Sequence, residues 1–291
     1  MVDNLRCTLC EKTSDIEVLH SELRYEYPAK IYTCKNCSFV FLHPQLNQEE
    51  LNKYYKEEYR SNYEDEPVKN RFSKDLLEAD VRLKRIEKKF LNVNKLLEIG
   101  SGSGAFLSLA HEKIEYAAGI ELDKNACDFM KQKGLNVFSD LKGLHAHKFD
   151  LIVLFHVLEH LENPVFFLKE LKNHLAEGGR IIVEVPNVDD ALVSFYDIDE
   201  FKNFYFCSAH VSYFSEKTLL DCLQLADFFG VIEQIQRYDL NNHIHWLKFK
   251  KPEVLLDKEK IFSESTLKSY ERDLTSKKMG DTLWGVFHSI K

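Results

Sequence analysis

The sequence has little that would place it in a membrane, on a nucleic acid or in a disulfide framework. No apolar run approaches the roughly 20 residues needed to cross a bilayer. The longest strongly apolar stretch, Leu151 to Leu158, already contains His156. Positive charge is in deficit, 39 Lys and Arg against 47 Asp and Glu for a net charge of −8. That balance gives no overall attraction to phosphate backbones or anionic lipid, and neither a nucleic acid nor a membrane is expected as partner. Glycine and proline number only 11 and 6 of 291 residues, and no repeat or low-complexity segment is visible, which excludes collagen-like classes. The opening residues, Met1-Val2-Asp3-Asn4-Leu5-Arg6, carry no basic-then-apolar export signal. Cysteines number seven, so a fully paired disulfide set is excluded. What is present, 44% hydrophobic residues at a mean hydropathy of −0.34, describes a globular chain expected in the cytoplasm. Its length fits about two domains at ~150 residues each.

Four of the cysteines form two pairs, Cys7-Thr8-Leu9-Cys10 and Cys34-Lys35-Asn36-Cys37. Two residues between thiols let one tight turn aim both sulfurs at one point, and two such turns complete a tetrahedral site of four thiolates for structural Zn²⁺. Redox disulfides and an iron centre are the alternatives. The first normally requires a strand-to-helix context that is absent here. Short alternating segments between the pairs, Ile16 to Leu19 and Lys30 to Tyr32, read as ribbon strands. So small a segment would draw most of its stability from the metal. Cys127, Cys207 and Cys222 are scattered and read as buried small hydrophobes.

The expected organisation is a zinc ribbon over 1–44, a helical connector or lid over 45–90, and a main domain over 91–291 with an insertion at 238–279 before the last strand. Within the connector, Leu76, Leu77, Val81, Leu83 and Ile86 suggest an amphipathic helix, preceded by a tyrosine-rich stretch from Gln45 to Glu66.

From Lys95 the pattern changes. Leu96-Leu97-Glu98-Ile99 reads as a short buried strand running into Gly100-Ser101-Gly102-Ser103-Gly104, and Ala105 to Ala110 reads as a helix. Glycines at such a turn let backbone approach a ligand, and the helix start offers unpaired N–H groups. Gly100, Gly102 and Ala105 also satisfy the dinucleotide fingerprint, so an NAD site stays open. Glu98, two residues before the first glycine, stands where dinucleotide sites usually keep an apolar residue.

The resulting E-x-G-x-G-x-G run, Glu98 to Gly104, resembles motif I of the class I S-adenosylmethionine (SAM) methyltransferases. The resemblance continues along the chain. Tyr116 to Ile120 reads as a second strand followed by Glu121, Asn136 to Leu141 matches the third strand, and Phe149 to Leu161 matches the fourth-strand signature. Arg180 to Asn187 follows as the fifth strand, Ser215 caps a helix from Glu216 to about Asp227, Val231 to Arg237 alternates as a strand, and Met279 to Phe287 closes the sheet. It implies an α/β fold with a Rossmann-like seven-stranded sheet and a small N-terminal zinc ribbon, with SAM as cofactor. On that resemblance Glu98, Gly100, Gly102 and Gly104 cradle the cofactor, Glu121 takes the ribose hydroxyls, Asp140 with Leu141 meets the adenine, and His156 contacts the cofactor.

A narrower resemblance is to bacterial SAM methyltransferases that begin with a zinc-binding ribbon and act on small molecules, among them deoxysugar C-methyltransferases using nucleotide-linked keto-sugars. It rests on the paired C-x-x-C motifs, Phe39 to Pro44, Ala209-His210-Val211-Ser212-Tyr213-Phe214-Ser215, Arg237 to His243, and Gly280-Asp281-Thr282. In those enzymes a Glu-His pair precedes the Tyr-Phe-Ser. Here His210 matches the histidine and Ala209 replaces the glutamate, which favours O- over C-methylation.

Methyl transfer to an alcohol requires a base, and histidine is best poised for it at neutral pH. His210 is the first candidate and His243 the second, the latter otherwise in substrate binding or a solvated loop. Glu159 and His160 read as architectural. Tyr205, Tyr213 and the Tyr54, Tyr55 and Tyr59 cluster read as packing or pocket walls. The expected partner is a small-molecule acceptor, a sugar or nucleotide-linked sugar. Competing readings are an RNA or protein methyltransferase using the ribbon for recognition, and a catalytically silent SAM-fold binding protein.

Overall fold

The computed structural model describes residues 5–24, 28–45, 67–90, 92–144, 147–252 and 262–289. Tyr54, Tyr55, Tyr59 and most of the tyrosine-rich stretch lie outside them, as does part of the 238–279 segment. The chain forms two compact units, one drawn from 1–46, 158–167 and 184–285, the other from 47–157, 168–183 and 286–291. Both are discontinuous in sequence, unlike the contiguous division at 44 and 90.

In the first unit, β1 (Ile16–His20), β2 (Lys30–Cys34) and β3 (Val40–His43) form an antiparallel ribbon. The ribbon does not end there. β3 pairs with β9 (Ser212–Tyr213), Val40 opposite Tyr213 and Phe41 opposite Ser212, making a four-stranded sheet. Ile31, Val40 and Leu42 share one buried cluster with Val188, Phe206, Val211 and Tyr213. The ribbon therefore has a hydrophobic core borrowed from residues remote in sequence, where a ribbon judged alone would lean on its metal.

The second unit opens with α1 (Val68–Lys89). It buries Ala79, Leu83 and Ile86, while Leu77 and Val81 are exposed. The apolar residues fall on two stripes a fraction of a turn apart, and the structure buries only one of them. Then follow β4 (Lys95–Ile99), α2 (Ala105–His111), β5 (Tyr116–Ile120), α3 (Lys124–Gln132), β6 (Asn136–Phe138) and β7 (Phe149–Phe155). β4 lies between β5 and β7 and is parallel to both; β5 and β6 are also parallel. In β4, Leu96, Leu97, Glu98 and Ile99 are all buried, as befits a central strand covered on both faces.

The remaining elements are α4 (Pro164–Lys172), β8 (Leu175–Pro186), α5 (Ala191–Ser194), α6 (Asp199–Tyr205), α7 (Glu216–Leu225), β10 (Phe228–Ile235), α8 (Leu240–Phe249), α9 (Glu264–Ser276) and β11 (Thr282–Ser289). Gly178 lies within β8 at φ 72°, so the strand begins earlier than the expected glycine turn. The main sheet has seven strands in the order β10-β11-β8-β7-β4-β5-β6. Among the described residues no helix is long and apolar enough to cross a membrane.

Candidate functional site

The turn after β4 is built from left-handed backbone that favours glycine. Gly100 has φ 72°, and a Cβ there would lie 2.6 Å from Val157 Cγ2. Gly102, at φ 53°, would direct a Cβ into open space with nothing within 4 Å. The first glycine lets two chain segments touch, and the second leaves a face bare for a ligand. Gly100 and Ser101 both donate their N–H to Ile120 O, at 2.9 and 3.0 Å, which ties the turn to the end of β5.

Glu121 completes that end. Its Oε2 accepts from Gly102 N–H at 2.6 Å and its Oε1 from Asp123 N–H at 2.8 Å. Burial raises its carboxyl above the ordinary value, opposed by these same N–H groups. A carboxylate has about four acceptor sites, so two backbone bonds leave room for two more.

Glu98 is deeper, 4% exposed, and its Oε2 has no hydrogen-bond partner among the described residues. Burial pushes its carboxyl up to about 8 against the opposing pull of the Arg82 guanidinium, so it is protonated at neutral pH. Asp140 follows β6 as expected but is exposed, and its Oδ1 accepts from Gly143 N–H at 3.1 Å, capping the 3₁₀ turn that starts at Leu141. His156 follows β7 with φ 55°, a left-handed conformation uncommon outside glycine, directly before the Val157 that touches the glycine turn.

In the other unit the four ribbon cysteines converge, their sulfurs within 4.8 Å of one another. Cys7 Sγ lies 3.5 Å from Cys37 Sγ, and Cys10 Sγ 3.6 Å from Cys34 Sγ. Sulfurs at about 2.3 Å from one tetrahedral ion stand about 3.8 Å apart, so the spacing fits a metal. All seven cysteines are free, and Cys127, Cys207 and Cys222 are buried as expected.

The two histidine candidates sit in different settings. His210 is half-buried in the loop before β9, its ring 4.7 Å from that of His160. His243 is not in a solvated loop. It occupies the first turn of α8, is 1% exposed, and has both ring nitrogens engaged, Nδ1 with Tyr270 Oη at 2.8 Å and Nε2 with Gln236 Nε2 at 3.1 Å. Gln236 Oε1 accepts from Asp281 N–H, which fixes the amide so that its Nε2 donates to His243. Burial lowers the imidazole to about 4 and keeps it neutral. Its lone pair is committed to Gln236, which makes it a core polar residue rather than a free base.

A family model described as a methyltransferase domain matches residues 70–233, more than half of the chain. The chain belongs to the methyltransferase-domain family. An uncharacterised protein of Methanocaldococcus jannaschii is 29% identical over 136 residues, 45% of this chain and 63% of that relative. The chain thus spans less than two thirds of the curated relative it matches. Among solved structures, a SAM-dependent methyltransferase from Archaeoglobus fulgidus is similar, with TM-score 0.51 and 21% identity over 73% of this chain and 93% of that one. The plantazolicin methyltransferase BpumL in complex with SAH is also similar, with TM-score 0.50 and 14% identity over 83% and 94%. At these identities the two structures establish a shared fold.

Sequence reasoning gave no structural role to three buried polar residues of this methyltransferase family member, Asn187, Asp190 and Asp281. Asn187, fully buried, donates its amide to Gly280 O at 2.7 Å and its backbone N–H to Asp281 O at 2.9 Å. Asp281 Oδ2 accepts from Arg237 N–H at 2.8 Å and Tyr238 N–H at 2.9 Å, and Oδ1 accepts from Thr282 Oγ1 at 2.7 Å. Asp190, capping α5 through Leu192 N–H at 2.7 Å, is pushed up to about 8 by burial. The Arg237 and Gly280-Asp281-Thr282 segments were noted only as marks of resemblance; their contact through Asp281 is the reason they occur together.

Proposed function

We propose that the chain binds SAM at the glycine turn and transfers its methyl group to a small-molecule acceptor, a sugar or nucleotide-linked sugar, at oxygen rather than carbon. The observation that carries the reading is Glu121 drawn against Gly102 at the mouth of the turn. The residues present fit an adenosyl group. The face over Gly102 is open, Glu121 retains acceptor capacity for a vicinal diol, and the buried Glu98 has a partnerless oxygen among the described residues. The SAH held by the plantazolicin enzyme, a protein of like fold, agrees with this.

When bound, SAM supplies an electrophilic methyl on its sulfonium. The chain's own work is to hold the adenosyl end with Glu121 and the glycine backbone, to keep the interior carboxyl of Glu98 uncharged beside it, and to manage the acceptor's proton. For the last task His210 is the proposed side chain, because His243 has no lone pair to offer. Asp140 serves adenine only through its oxygen not used on Gly143. Ala209, in place of a glutamate, supports an oxygen acceptor over carbon. The four cysteines are proposed to hold structural zinc.

Calorimetry with SAM and SAH tests the first half, with one site per chain expected; no heat with either at millimolar concentration would overturn the reading. A thermal-shift panel of nucleotide-sugars in the presence of SAH tests the acceptor class. Stabilisation by at least one is expected, and a response to NAD⁺ in place of SAH would overturn both halves.

A further inference from the structure

We propose that Glu159, His160 and His210 form a second metal site, separate from the cysteine ribbon and binding a divalent ion of the zinc type. One donor atom from each of the three lies within 4.8 Å of the other two. Ligand atoms about 2.0–2.2 Å from one tetrahedral ion stand about 3.3–3.6 Å apart, so closing the set takes side-chain movements of roughly 1 Å. Two imidazoles and one carboxylate with an open fourth position are a donor set suited to zinc-like ions.

The surrounding backbone prepares these residues for the task. His160 Nδ1 lies 2.9 Å from Ala209 O. A carbonyl can only accept, so Nδ1 carries the proton and Nε2 is the ring nitrogen with the lone pair, the tautomer that orients metal-binding histidines. Val211 N–H donates back to Glu159 O at 2.9 Å, so the two segments that carry the three side chains are locked in register. The Cys207–Tyr213 loop is itself pinned: Tyr213 Oη donates to Cys207 O and accepts from Cys207 N–H, both at 2.9 Å. The His160 and His210 rings meet edge to face, 4.7 Å between centroids at 80°. Glu159 is 1% exposed, where a bound cation would offset the cost of burying a carboxylate, whereas both histidines are half-buried and reachable from solvent.

An ion held there changes the work assigned above to the His210 imidazole as a base, because a hydroxyl bound to such an ion ionises closer to neutral pH. The site itself does not depend on the methyl-transfer reading, and its test needs no SAM. The full chain is dialysed against micromolar Zn²⁺ and its metal content measured. The expected result is one ion fewer in His210→Gln and in Glu159→Gln than in the unaltered protein, with the cysteine-bound ion retained in both. Equal content in all three proteins would overturn the proposal. Should a substitution fail to fold, ring ¹H–¹⁵N spectra of the unaltered protein decide the matter. Zn²⁺ should move the His160 Nε2 resonance and leave its Nδ1 proton in place; an unmoved Nε2 would equally overturn it.

Discussion

The Gly102 amide donates to the Glu121 carboxylate across 2.6 Å, binding the turn after β4 to the tip of β5. One carboxylate thus both shapes the glycine turn and lines its open face. Charge-assisted bonds of this kind contribute about 1.5–3 kcal/mol each. Glu121→Ala is expected to weaken SAH binding by roughly 10- to 100-fold in calorimetry, and Glu121→Gln by less, because the amide oxygen can still accept. An unchanged Kd in the alanine variant would contradict the role.

Glu98 makes stability depend on pH in a direction opposite to the usual carboxylate. Its folded value is raised to about 8 from an ordinary 4.5. Below 4.5 the group is protonated in both states; between 4.5 and 8 the unfolded chain gives up a proton that the folded one keeps. The stability contributed by the neutral carboxyl is therefore full at low pH and is lost as pH rises toward 8, at a slope of at most about 1.4 kcal/mol per pH unit. Glu98→Gln should remove that slope. Urea unfolding of the ligand-free chain between pH 6.5 and 8 reads it, and parallel slopes in the two proteins would count against a protonated Glu98.

Asp281, itself buried, holds three donors at once, and truncating it removes the carboxylate that the Arg237 and Tyr238 N–H groups and the Thr282 hydroxyl share. Asp281→Ala is expected to cost about 2–4 kcal/mol, seen as a lower urea midpoint, whereas Asp281→Asn should retain part of it. A midpoint shift within error for the alanine variant would show that water replaces the carboxylate.

Much of the site was legible because it is local. Glu98, the glycines and Glu121 are fixed by strand-turn-helix geometry that a short window specifies, and the two cysteine pairs announce themselves by spacing. The setting of His243 was not legible, for the converse reason. Its helical address follows from Asp239, whose side chain accepts from Asn241 and Asn242 N–H, and its burial comes from Tyr270 on another helix, which no window around His243 contains. Asp140 follows β6 as expected, but its engagement with Gly143 depends on a 3₁₀ turn whose sequence carries no strong periodicity.

By itself the sequence determined the alternation of strands and helices, the glycine turn with its acids, and the paired thiols. Each follows from backbone preferences and burial periodicity within about ten residues. Only the tertiary structure decided that the ribbon continues into Ser212–Tyr213, that Asp281 clamps Arg237 and Tyr238, and that His160 and His210 face each other with Glu159. Those pairings join segments from about 45 to 170 residues apart in the chain, and their energy comes from desolvated hydrogen bonds and shared core that exist only once both partners are in place.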